Sequence, residues 1–150
     1  MKSFVVNPKL MNPLIKLIFK KTSIYDSASV MKCMDISSQL FFKLDSKDIQ
    51  IPSDFDFNFF MKGLELLLTA DHSTNTAKAV WLLYQIVHIL PQNERENLLV
   101  NLMKPNQFYK FMFHWSWFVR KSFHYFYYFQ CHRLFLDNKE AVNEMRSAMS

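Results

Sequence analysis

The chain has 150 residues, enough for one domain with a substantial core, and half of them are hydrophobic, which excludes a disordered polymer. A single glycine, Gly63, excludes the barrels, sandwiches and nucleotide-binding βαβ folds that need glycine at tight turns and beside phosphates. The net charge of +5 is unevenly spread: residues 1–25 carry Lys2, Lys9, Lys16, Lys20 and Lys21, residues 97–136 carry Lys104, Lys110, Arg120, Lys121 and Arg133, and neither stretch holds an acid.

The predicted elements are all helical. Asn12-Pro13 reads as an N-cap followed by proline at the first helical position, opening a short helix over Leu14–Lys21 with lysines in its last turn. Asp26 caps a second helix that reaches about Leu44. Its inner stripe is Val30, Cys33, Met34, Ser37, Leu40, Phe41 and Leu44. Asp45–Asp56 is a polar, acidic loop containing Pro52. Asp56 opens a third helix, in which Phe57, Phe60, Met61, Leu64, Leu67 and Leu68 recur at helical spacing. Gly63 lies inside that helix at a cost of about 1 kcal/mol against alanine, and a close helix–helix approach is the expected reason.

Ala70–Asn75 reads as a turn. The fourth helix, Thr76–Leu90, is apolar nearly all round and is therefore expected at the centre of the domain; Pro91 ends it. Asn93 with Glu96 suggests a capping box for a fifth helix, whose inner face is Leu98, Leu99, Leu102 and Met103. Lys104-Pro105 stops it, and Asn106 is placed to cap the next. From Gln107 to about Leu136 nothing breaks a helix, so either one long helix or two helices with a bend is expected. Half of the residues from Phe108 to Phe135 are aromatic. A polar tail follows from Asp137.

The whole reads as one all-α domain over 1–150. It comprises a basic helical region over 1–25, a helical core over 26–136 and a polar tail over 137–150. Predicted helix starts near 14, 57 and 94 are about 40 residues apart, close to the period of paired antiparallel helices in armadillo and HEAT repeats. An irregular helical bundle is the alternative.

No catalytic signature is present: no Gly-rich phosphate loop, no H-E-x-x-H and no G-x-S-x-G. His88, near the end of the fourth helix, is expected to be satisfied by helix-terminal carbonyls. His114, His124, Cys131 and His132 share one region but lack the close ligand pairs of structural zinc sites, so no metal and no cofactor is expected. Aromatics at 108, 111, 115, 118, 123 and 126 follow helix periodicity and point to core packing rather than stacking on nucleic acid. Nor does any stretch supply the roughly 20 apolar residues of a membrane span. Cys33 and Cys131 are far apart, and no secretory signal is visible. Buried, reduced thiols and an intracellular, cytoplasmic setting are expected.

Two stretches are more specific. One is Lys78-Ala79-Val80-Trp81-Leu82-Leu83-Tyr84. The other is Phe113-His114-Trp115-Ser116-x-x-Val119-Arg120-x-x-Phe123-His124-Tyr125. Over roughly Tyr25 to Arg133 the chain resembles a eukaryotic family of helical proteins of unknown function, represented in fungi by uncharacterised proteins with a suggested membrane association. Members of that family are usually longer, which implies a short version or a fragment here, and the resemblance carries no activity and no catalytic residues.

In the second stretch Trp115, Val119 and Phe123 recur every four residues as an expected buried ridge, with Ser116, Arg120 and His124 alongside. Arg120 among apolar neighbours needs a partner, either an acid from Asp45–Asp56, Asp71, or helix-terminal carbonyls. Trp81, His114, Trp115, Arg120, Phe123 and His124 are thus the candidate structural or interaction residues. The expected function is a non-enzymatic scaffold or protein–protein interaction module. The alternative is a peripheral domain that binds anionic membrane surfaces through the basic, aromatic segment 108–128.

Overall fold

The computed structural model describes residues 7–131, together with 143, 146, 147, 149 and 150. Every regular element among them is helical. The expectations for Lys2, His132, Arg133, the helix end at Leu136 and most of the tail lie outside the described residues.

Helix α1 spans Met11–Lys21, α2 Ser27–Ser46, α3 Phe57–Thr69 and α4 Ser73–Ile86. Helix α5 spans Gln92–Met103, α6 Pro105–Met112 and α7 Trp117–Tyr125. A 3₁₀ turn, Pro8–Leu10, precedes α1, and a π-helical turn, Phe126–Cys131, continues α7.

Two caps are where the sequence places them. Asp26 accepts from the Ser29 amide, and Asp56 accepts from the Phe59 amide at 3.0 Å. Asn12 is not a cap. Its amide donates to the Asp54 carbonyl and its oxygen accepts from the Asp56 amide, both at 3.1 Å, so it ties α1 to the entrance of α3. Asn7 caps the preceding turn instead. Nor do Asn93 and Asn106 cap: Pro91 stands at the N-cap of α5, and Pro105, with its φ already helical, starts α6. Helix α4 starts three residues earlier than expected because His72 Nδ1 accepts from the Asn75 amide.

The full predicted stripe of α2, Val30 to Leu44, is buried. Phe60, Leu64 and Leu67 of α3 are buried beside it. Gly63 provides the close approach expected of it, since the Phe19 ring of α1 lies where a side chain at 63 would be. Helix α4 is the hub, packing on α2, α3 and α7, while α1 packs on α2 and α3, α5 on α6, and α6 on α7.

The buried polar groups at the start of α4 are bonded. Asn75 donates to the Ile24 carbonyl and accepts from Ser27, and Thr76 donates to the Leu67 carbonyl. Both cysteines are buried and are not bonded to one another. His88 is half exposed and sits 3.4 Å from the Asp45 carboxylate rather than on helix-terminal carbonyls. The uninterrupted stretch after Gln107 is two helices with a bend over residues 113–116.

Candidate functional site

That bend gathers exposed aromatic rings. Helix α6 ends at Met112, where Phe113 leaves helical geometry (φ −114°, ψ 23°). Ser116 is extended and opens α7. The four-residue turn is closed from within by His114, whose Nδ1 accepts from the Ser116 amide at 3.1 Å. Two staples fasten it from α7. Arg120 Nη1 donates to the carbonyls of His114 (2.5 Å) and Trp115 (2.9 Å), and His124 Nε2 lies 3.2 Å from the Met112 carbonyl. Arg120 thus finds turn carbonyls and no acid from the loop or from Asp71. Lys110 ties the same corner to α3 by donating to the Leu68 carbonyl.

Because the turn resets the phase of the helix, the rings do not lie where a continuous helix would put them. Val119, Phe123 and Phe126 face the core and are fully buried. Phe123 packs against Phe108, Phe111 and Phe126. Trp115 does not join them. It is 75% exposed because it belongs to the turn and not to α7, which corrects the ridge expected through Trp115, Val119 and Phe123. Phe113 is 73% exposed and Phe118 66%, and Tyr109 and Trp117 are exposed beside them. The periodic reading of the aromatics therefore holds for 111, 123 and 126 and fails for 115 and 118.

These rings are ordered against one another. Tyr109 stacks on Phe113 (6.1 Å, 13° between planes), His114 on Trp115 (5.5 Å, 30°), and Trp117 meets Phe118 edge-on. The Lys121 ammonium lies 4.7 Å from the centre of the Trp117 ring, within cation–π range.

Of the residues singled out from sequence, His114, Trp115, Arg120 and His124 come together at this corner, with Phe123 beneath them in the core. Trp81 is elsewhere: it is half-buried in the seam between α4 and α7, against Tyr84 and Tyr125. Sequence reasoning did not include Tyr109, Phe113, Trp117, Phe118 or Lys121 among the candidate residues, and spanned them only in the alternative of a membrane-facing segment 108–128. The available signal was the recurrence of Val119, Phe123 and Phe126 at spacings of four and three, which puts Trp117 and Lys121 on the opposite side of α7 and Phe118 on its flank.

Two titratable groups are shifted by their surroundings. Burial, then the positive charges of Lys110 and Arg120, hold the His114 imidazole below its ordinary pKa, which suits a ring whose Nδ1 must stay an acceptor. Burial pushes the Cys131 thiol well up, away from thiolate chemistry. Among the described residues, no three His, Cys, Asp or Glu side chains are arranged to hold a metal ion, and no helix is long and apolar enough to cross a membrane.

Residues 11–140 match the family described as "Protein of unknown function (DUF1765)". The chain belongs to that family. No curated protein and no solved structure matches it.

Proposed function

We propose that this domain is a non-enzymatic helical interaction module whose docking surface is the α6–α7 corner. The carrying observation is the exposure of Phe113 and Trp115 on the turn and of Trp117 and Phe118 at the start of α7. Aromatic surface in water is unfavourable by about 25 cal/mol per Å², and clustered exposed rings mark contact surfaces, with tryptophan, tyrosine and arginine dominating their energetics. The partner is a protein surface with acidic or neutral character, because Lys104, Lys110, Arg120 and Lys121 lie in a stretch without acids. The module works in the cytoplasm, where its two buried thiols stay reduced.

The packing of α1 on α3 and of α2 on α4 supports a layered, paired-helix architecture of armadillo or HEAT type, in which alternate helices stack. Helices α1, α3 and α5 begin at residues 11, 57 and 92, so the repeat is an uneven one.

The test is photo-crosslinking in cells of the native source, with a benzophenone amino acid at position 113. A discrete crosslinked protein is expected, its yield reduced at least about tenfold in a Trp115→Ala/Trp117→Ala/Phe118→Ala variant that keeps its helical circular dichroism. An uncrosslinked chain, or a yield indifferent to the triple variant, overturns the reading.

One observation favours a second reading, docking on an anionic membrane surface: Lys121 sits over the Trp117 ring in an acid-free segment, and cations beside interfacial tryptophans are the pattern of membrane-surface anchors. Co-sedimentation with phosphatidylserine vesicles at low salt, lost in the same triple variant, supports it. An unbound chain under those conditions ends it.

A further inference from the structure

A second feature lies apart from the corner. Between α1, α2 and α3 runs a groove of about 410 Å³, within the range of small-molecule sites. Its walls are apolar, built from Phe19, Val30, Met34, Leu66 and Leu67, with the Phe19 ring seated against Gly63 of α3. The polar groups along it are few. The Thr22 hydroxyl is already bonded to the Ile18 carbonyl at 2.8 Å, and Cys33 is a buried thiol that burial keeps protonated. The remaining polar groups are the ammonium groups of Lys20 and Lys62.

Those two lysines differ from their neighbours. Lys16 is paired with Asp56 at 2.8 Å and Lys78 with Asp35 at 2.7 Å. Among the described residues neither Lys20 nor Lys62 forms a close ion pair, although the Lys62 charge also acts on the Asp56 carboxylate, and the groove lining contains no acid. An apolar trough bordered by two cations outside close ion pairs is complementary to a hydrocarbon chain with an anionic end.

We propose that this groove binds a single long-chain fatty acid, with the hydrocarbon tail along Phe19, Met34, Leu66 and Leu67 and the carboxylate between Lys20 and Lys62. Desolvation of the tail supplies most of the affinity, and the lysines select the carboxylate end and set its direction. No bond is made or broken.

The experiment is displacement of a fluorescent fatty acid from the full chain by saturated fatty acids below their micelle-forming concentrations. Affinity is expected to rise about fourfold for each methylene added beyond octanoate, levelling once the groove is full. In a Lys20→Glu/Lys62→Glu variant palmitate is expected to bind about tenfold more weakly, while uncharged hexadecanol binds as it does to the unmodified chain. Both positions are exposed, so this variant is expected to keep its helical circular dichroism, and the chain-length series stands without it. A chain that does not bind palmitate, an affinity flat with chain length, or an equal loss of palmitate and hexadecanol would each sink the proposal. So would displacement of the probe by an amphipathic helical peptide but not by palmitate, or binding seen only with phospholipid vesicles; these would assign the groove to a partner helix or to a membrane.

Discussion

Gly63 gives the sharpest quantitative test of the packing. A Cβ at this position would meet the Phe19 ring, with Cδ2 and Cε2 both at 2.6 Å, while the next nearest atom, Cγ, is at 3.9 Å. Ordinary carbon contacts are about 3.5–4.0 Å, so the ring edge would have to retreat by about 1 Å. That ring stacks on Phe60 (5.5 Å, 30°) and leans on Phe59 (6.1 Å), so its retreat loosens two aromatic contacts at once. Against this, alanine gains about 1 kcal/mol of helix propensity over glycine. Overpacking of this kind costs about 1–3 kcal/mol, so Gly63→Ala is expected to be net destabilising by about 1 kcal/mol, a fall in Tm of about 4 °C. In a Phe19→Ala background nothing else obstructs the new methyl, and the same substitution should stabilise by about 1 kcal/mol. Urea denaturation of the four chains measures the coupling, expected at about 2 kcal/mol. Equal effects of Gly63→Ala in the two backgrounds would refute the view that the Phe19 ring is why glycine stands at 63.

Two further outcomes concern the corner. Arg120→Ala removes two charge-assisted hydrogen bonds from turn carbonyls and should destabilise the domain by about 2 kcal/mol, with faster amide exchange at residues 114–116; Arg120→Lys should restore only part, because lysine lacks the planar fork. Unchanged exchange there would show that the staple carries no load. The His114 pKa is depressed in the folded protein, so the unfolded chain takes up a proton first as pH falls. Its contribution is complete above the ordinary value of 6.5 and is lost as pH drops through the folded pKa. Thermal unfolding between pH 8 and pH 5 should therefore show a steeper loss for the natural chain than for His114→Asn, whose side-chain oxygen can still accept from the Ser116 amide. Parallel curves would exclude this role.

How much of this could be read from sequence depends on which level decided each feature. The α2 stripe from Val30 to Leu44 was legible because one helix face meets one core, and periodicity alone encodes that. Asp26 and Asp56 were legible as caps because a short acid before an apolar run has few other uses. The three asparagines were not. Asn12 sits in the same local context as a cap, but tertiary contacts with Asp54 and Asp56 hold its side chain, and Pro91 and Pro105 set the starts expected of Asn93 and Asn106. Trp115 was misread for a similar reason. Its spacing to Val119 and Phe123 is that of a helix, and only the contacts made by His114, Arg120 and His124 reveal a turn there. Exposure of the corner aromatics was beyond composition, which can weigh rings but cannot say which side of a backbone bend they leave from.

The two staples also determine what can change. His124 and Arg120 address backbone carbonyls at Met112, His114 and Trp115, and a carbonyl is present whatever side chain the residue bears. The fastening is therefore blind to the identity of residues 113 and 115, so the rings are interchangeable fittings on a fixed bracket. Exchanging Trp115 or Phe113 for another ring can reshape the corner's surface without refolding the domain, whereas a change at Arg120 reaches every ring together.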